Sequence, residues 1–220
     1  MALAQLHLDT LKQEARLFLT KLSKTPIKDL YGITDGKKVG THIEHAFHAH
    51  LAKKYTYERG SSASGIDFPA LNVDLKVTSI QQPQSSCPYR DAAQKVYGLG
   101  YHLLVFVYEK TDNKTKKAAN MRFLHAVFVD RSRTADYQTT RGMCDILDRD
   151  GNRDDIIAFL IERNLPLDEI GRDKLADRIL KTRPKPGYLT MSNALQWRLQ
   201  YTRIIDQAGK AAGIEDLLHA

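Results

Sequence analysis

The stretch "GIDFPALNVDLKV", residues 65–77, sets two carboxylates and a lysine among apolar neighbours: Asp67, Asp74 and Lys76. "IDF" and "VDLKVTSI" flank the short turn "PALN" and read as a β-hairpin. Strand alternation puts Val73, Leu75 and Val77 on one face and Asp74, Lys76 and Thr78 on the other. Across the tight turn, Asp67 falls roughly opposite Val73 or Asp74. Directly opposed side chains sit about 5 Å apart, and two carboxylates that close repel unless something positive lies between them. A hard divalent cation answers this, since Mg²⁺ takes carboxylate and water oxygens. Lys76 then stands beside that cation and beside any phosphate near it. Cation and lysine together can hold a nucleophilic water, lower its pKa and neutralise charge building on a phosphoryl group. The plain alternative is a solvent-facing strand whose charges carry no chemistry.

Two further elements bear on this cluster. Thr41 can cap a helix running to about Lys53, with Ile43, Ala46, Phe47 and Leu51 on its apolar face. Glu44 lies on the polar side of that helix, and a helix packed beside the sheet can aim its carboxylate at the cation. The same helix carries His42, His45, His48 and His50. His45 and His48 are three apart, and Glu44 and His48 four apart, so a separate metal site is conceivable. The stronger reading takes these histidines as surface or phosphate-contacting groups.

The rest of the chain supplies the scaffold. Residues 3–22 carry apolar positions at helical spacing and predict a first helix; 25–40 reads as loop. "DAAQKVYGLG" (91–100) predicts a short helix stopped by glycine. "HLLVFVYE" (102–109) and "MRFLHAVFVD" (121–130) are apolar on both faces and predict central strands. Residues 131–155 read as polar loop, and from Asp154 onward the pattern is helical. The expected fold is α+β, a mixed sheet flanked by helices with a helical C-terminal third. A core over 1–150 would precede a helical region over 151–220, either a recognition subdomain or a continuation of one domain.

The order of these features resembles the PD-(D/E)XK nuclease superfamily: a helix with a glutamate, a strand with an aspartate, then D/E-x-K on the next strand. The matching residues are Glu44 in "GTHIEHAF", Asp67 in "GIDF" and "DLK" at 74–76, within a stretch of roughly 38–110. Ile66 stands where the motif has proline, and the spacing from Asp67 to Asp74 is short for the family. The resemblance implies a restriction-endonuclease-like core and a metal-dependent phosphodiesterase acting on double-stranded DNA. It implies Asp67 and Asp74 as Mg²⁺ ligands, Glu44 as an accessory ligand, and Lys76 as the group that positions the attacking water. In-line attack would leave 5′-phosphate and 3′-hydroxyl ends.

Charge and composition fit such a partner. Lys and Arg number 33 against 26 Asp and Glu, a formal net charge of +7, and a basic surplus suits a polyanion. "DRSRTADYQTTRG" (130–142) offers Arg131, Arg133, Tyr137, Gln138 and Arg141 to bases or phosphates; it reads equally as a solvated loop. A C-terminal helix begun by Ser192 or Asn193, with Gln196 and Arg198 on its polar faces, reads either as a major-groove reader or as a packed bundle helix. No apolar run approaches the ~18 residues of a membrane span. The N-terminus, broken by Asp9, Lys12 and Glu14, does not read as a signal peptide. Two cysteines, Cys87 and Cys144, without CxxC spacing, read as plain thiols of a cytoplasmic protein. The leading expectation is a type II restriction endonuclease working as a homodimer on a palindromic site. A repair or nonspecific nuclease, or a non-catalytic helix-turn-helix protein, stands as the alternative.

Overall fold

Two strands, His102–Asn113 and Ala118–Val129, occupy the middle of a sheet and are buried on both faces over 103–108 and 126–129. The computed structural model describes residues 3–60, 65–87, 90–192 and 197–219. In chain order the elements are β1 (Ala4–Gln5), α1 (Leu8–Leu22), α2 (Gly36–Ala52), β2 (Tyr55–Thr56), β3 (Val73–Ser79), β4 (Gln84–Cys87), α3 (Gln94–Tyr97), β5 (His102–Asn113) and β6 (Ala118–Val129). There follow α4 (Tyr137–Leu147), α5 (Arg153–Glu162), α6 (Glu169–Lys181), β7 (Thr190–Met191), β8 (Trp197–Gln200), α7 (Thr202–Gln207) and β9 (Ile214–Asp216). The chain forms two compact units. One comprises Met1–Pro83, His102–Val129 and Gln207–Ala220; the other comprises Gln84–Tyr101 and Asp130–Asp206.

The first unit is built on a mixed sheet of order β3-β5-β6-β9, with β3 parallel to β5 and the other pairs antiparallel. Helix α2 packs on β3 and α1 on β6, around a core that includes Leu11, Leu19, Ile43, Phe47, Phe106 and Phe128. The predicted first helix is shorter than residues 3–22, because Ala4 and Gln5 pair in parallel with Tyr55 and Thr56. Helix α2 starts a turn earlier than Thr41. Asp35 is its cap, its carboxylate accepting from the backbone N–H groups of Lys37 and Lys38.

A buried carboxylate ties these helices together. Glu14 of α1 meets His50 Nε2 at 2.6 Å, accepts from Lys54 Nζ at 2.8 Å and from the Tyr55 hydroxyl at 2.9 Å. Burial alone would raise its pKa, but the hydrogen bonds from Lys54, His50 and Tyr55 outweigh that and hold it below the ordinary carboxylate range.

The second unit pairs a three-stranded antiparallel sheet, β4-β8-β7, with α3, α4, α5 and α6. Its core includes Val96, Met143, Ile156, Leu160, Leu175 and Ile179. Here the structure corrects two expectations. Residues 131–155 are not simply loop: Asp136 caps α4, its Oδ1 accepting from the Thr139 N–H at 2.8 Å. Its Oδ2 accepts from the Met191 N–H at 2.8 Å, while Lys95 Nζ donates to the Met191 carbonyl at 3.0 Å. Nor does a helix start at Ser192. Trp197–Gln200 is strand β8, paired with β4 and β7, and the helix begins only at Thr202. The segment alternates, with Leu199 and Tyr201 buried and Arg198 and Gln200 exposed, which is strand period rather than helical period.

Two predictions concern these anchors. Glu14→Gln costs about 1–3 kcal/mol at neutral pH, read as a lower Tm. Because the folded pKa of Glu14 is depressed, its contribution is present above the unfolded value of 4.5 and fades as pH falls through the folded value. The Tm difference between wild type and variant should therefore shrink on acidification; a difference that grows contradicts the assignment. In the second unit, Asp136→Ala strands two buried backbone donors and should cost about 2–4 kcal/mol in urea unfolding, with Asp136→Asn, which keeps an acceptor oxygen, costing less.

Candidate active site

All four residues of the proposed constellation lie in the first unit, and the structure brings them together. Glu44 sits on α2. Phe68, buried beside Asp67, anchors the loop, and a 3₁₀ turn over Pro69–Leu71 leads into β3. Asn72 closes that turn with a φ of 54°, the left-handed region that asparagine tolerates well. The expected hairpin shrinks to one bridge, Phe68 with Val73. Among the described residues, strand β3 lies at the edge of its sheet beside β5, and its open side is met by a side chain: Asp67 Oδ2 accepts from the Leu75 N–H at 2.7 Å. On the other side of the chain, the backbone carbonyl of Asp67 accepts from the Gly60 N–H at 2.9 Å. A Cβ at Gly60 would lie 1.7 Å from the Ile66 carbonyl oxygen, so only glycine fits.

The electrostatics are those of crowded like charges. Lys76 Nζ lies 2.8 Å from Asp74 Oδ2; the Asp74 side chain is only 5% exposed, the lysine 24%. The strand face expected to be wet is thus closed over the carboxylate and open at the ammonium. Burial raises the Asp74 pKa to about 7; Lys76 opposes the rise, and the carboxyl of Asp67, hydrogen-bonded beside it, adds to it. Glu44 is also raised, by burial and then by Asp67, against the opposing pull of His45, Lys76 and Arg59. Three carboxylates gathered at one place, with one lysine in contact with Asp74, form a donor set that fits a hard cation.

Sequence reasoning set aside one member of this group. His48, expected at the surface, is 3% exposed, and one of its ring nitrogens lies within 4.8 Å of carboxylate oxygens of both Glu44 and Asp67. Its ring stacks on Phe68 at 4.9 Å and on Tyr57 at 5.9 Å between centroids. Burial, with the Arg59 charge, lowers its pKa to about 4, against the opposite pull of Asp67. The signal was the four-residue spacing from Glu44, which puts both side chains on one helix face.

The residues expected to contact DNA lie in the second unit wherever they are described. Arg131 and Gln138 are exposed, the first on a 3₁₀ turn and the second on α4. Arg141 donates to the Tyr137 hydroxyl at 2.9 Å, and the Arg203 guanidinium lies 3.5 Å from the Tyr137 ring centroid. Arg133 packs near Tyr188 and donates to the Pro186 carbonyl at 3.4 Å. Ser192 and Arg198 face each other across β7 and β8, with the Arg198 N–H donating to Ser192 Oγ at 2.9 Å. Ser192 thus caps no helix, and Arg198 lies on a strand rather than on a helix face. Asn193 and Gln196 lie outside the described residues.

Comparison with known proteins covers nearly the whole chain. The family model described as "Type II restriction enzyme NspV" matches residues 5–216. The type II restriction enzyme NspV of Nostoc sp. (strain ATCC 29411 / PCC 7524) is 54% identical over 209 residues, covering 95% of each chain. No solved structure matches. With a match along nearly its full length and a restriction-endonuclease-like mixed sheet, this chain belongs to the NspV family of type II restriction enzymes.

Proposed function

We propose that this restriction enzyme is a Mg²⁺-dependent endonuclease that cuts double-stranded DNA at a specific site, leaves 5′-phosphate ends and works as a homodimer in the cytoplasm. The observation that carries the reading is the gathering of Glu44, Asp67 and Asp74 with the Lys76 ammonium 2.8 Å from Asp74. Asp67, Asp74 and Glu44 would hold the cation. When bound, Mg²⁺ supplies positive charge against the charge building on the phosphoryl oxygens and makes a water more acidic. Asp74, fixed by Lys76, keeps the ammonium in place. Lys76 orients the attacking water and offsets phosphate charge. The water oxygen bonds to phosphorus as the bond to the 3′ oxygen breaks, so phosphate stays on the 5′ end.

Arg131, Arg133, Tyr137, Gln138, Arg141, Ser192, Asn193, Gln196 and Arg198 are the proposed DNA contacts. Their support is the basic balance of the chain and the exposure of Arg131, Gln138, Arg141 and Arg198. Among the described residues no helix is long and apolar enough to cross a membrane.

Plasmid digestion tests the proposal. Purified protein with Mg²⁺ should give discrete bands whose ends accept labelled phosphate only after dephosphorylation. Asp74→Ala and Lys76→Ala should each lower the cleavage rate at least about a hundredfold while retaining site-specific binding in a gel-shift assay. Unchanged cleavage by Asp74→Ala sinks the site assignment; a smear in place of bands sinks the site specificity.

A further inference from the structure

The hydrogen bonds around His48 decide which of its ring nitrogens carries the proton. Tyr57 has a single hydroxyl hydrogen, and it donates to the His48 backbone carbonyl at 3.2 Å. A carbonyl cannot donate, so that proton is committed. His48 Nδ1, 2.9 Å from the same hydroxyl oxygen, is then the donor of the second bond. In a neutral imidazole the other nitrogen, Nε2, is left as a bare lone pair. That atom is buried and has no hydrogen-bond partner. A buried acceptor with nothing to accept is costly, and it belongs to a side chain grouped with the Glu44 and Asp67 carboxylates. The aromatic stack of Phe68 and Tyr57 holds the ring in plane, so the lone pair has a fixed direction.

We propose that His48 Nε2 is a ligand of the cation held by the carboxylates, so that the centre is a mixed nitrogen–oxygen site which binds Mn²⁺ in preference to Mg²⁺. The proposal rests on the carboxylate centre described above. Its physical basis is ligand type: Mn²⁺ takes oxygen ligands but accepts an imidazole nitrogen more readily than Mg²⁺, which keeps to oxygen and sheds water reluctantly. Tyr57 is the positioning residue, since its hydroxyl fixes the tautomer and aims Nε2, as outer-shell partners of metal-bound histidines do.

The test needs no cleavage. Wild-type protein is loaded with Mn²⁺ and examined by pulsed EPR, alongside His48→Leu, Tyr57→Phe and, as a control, His45→Leu; titration calorimetry measures Mn²⁺ and Mg²⁺ affinity. Imidazole-nitrogen couplings should be present in wild type and His45→Leu and absent in His48→Leu. Mn²⁺ affinity should fall about tenfold or more in His48→Leu, with a smaller change for Mg²⁺, and about tenfold in Tyr57→Phe. Bound Mn²⁺ without nitrogen couplings in wild type overturns the role of His48 and leaves the carboxylate centre standing. Loss of the couplings in His45→Leu assigns them to the wrong residue and overturns it too, even if His48→Leu fails to fold. Equal losses for the two ions overturn the preference. No Mn²⁺ bound by wild type overturns the carboxylate centre itself.

Discussion

Like charge held at close range is the constraint on which the first unit turns. Glu44, Asp67 and Asp74 converge beside one lysine, which pairs with Asp74, and two of the three resist losing a proton. Two unit charges 4 Å apart at an effective dielectric of 20 interact by about 4 kcal/mol, so the cluster does not assemble itself. The core assembles it. Ile43, Phe47 and Leu51 seat α2 on β3 and thereby bring Glu44 over the strand, while Phe68 fixes the loop that carries Asp67. The apolar packing thus offsets an electrostatic cost at a place where a cation would remove that cost.

Asp67 shows how one side chain meets two demands. An edge strand exposes backbone donors that invite pairing with another chain. The Asp67 carboxylate occupies one of these, the Leu75 N–H, and this bond also fixes where its second oxygen points. A full hairpin would have satisfied the edge with backbone carbonyls and carried the carboxylate at a strand position. The turn ending at Asn72 instead lets the acid reach in from the side. The short sequence gap between the two acids follows from this: no second strand has to fit between them.

The centre of the sheet was legible because 102–109 and 121–130 are predominantly apolar runs of strand length bounded by turn residues. The acid-acid-lysine cluster was legible because strand parity and a family motif agree on the same residues. The less legible parts depended on tertiary contacts. Leu195 and Leu199 mimic a helical stripe, but Leu199 and Tyr201 are the buried side of a strand whose partners lie far off at Gln84–Cys87. Polar Tyr137–Leu147 reads as loop until Asp136 is seen capping it and Thr139 and Thr140 are seen buried. His48 was misread for a related reason. Four histidines on one helix look like a solvated face, and only the approach of Phe68 and Tyr57 singles out the one that is enclosed.

The connectivity explains why the proposed chemistry and the proposed recognition occupy different units. Parallel strands cannot be joined by a tight turn and need a crossover of a dozen residues or more. Strands β3 and β5 are such a pair, and Gln84–Tyr101, the first segment of the second unit, lies within the connection between them. The second segment, Asp130–Asp206, leaves at the end of β6 and returns before β9, again between two strands that are neighbours in the sheet. Both segments are therefore insertions that leave the strand register around Asp74 and Lys76 intact. Residues such as Arg131, Gln138 and Arg198 can change along these insertions without moving an acid on the sheet, whereas a one-residue slip in β3 would turn Asp74 to the opposite face. The strands thus carry the geometry that the proposed chemistry needs, and the connections carry the proposed DNA contacts.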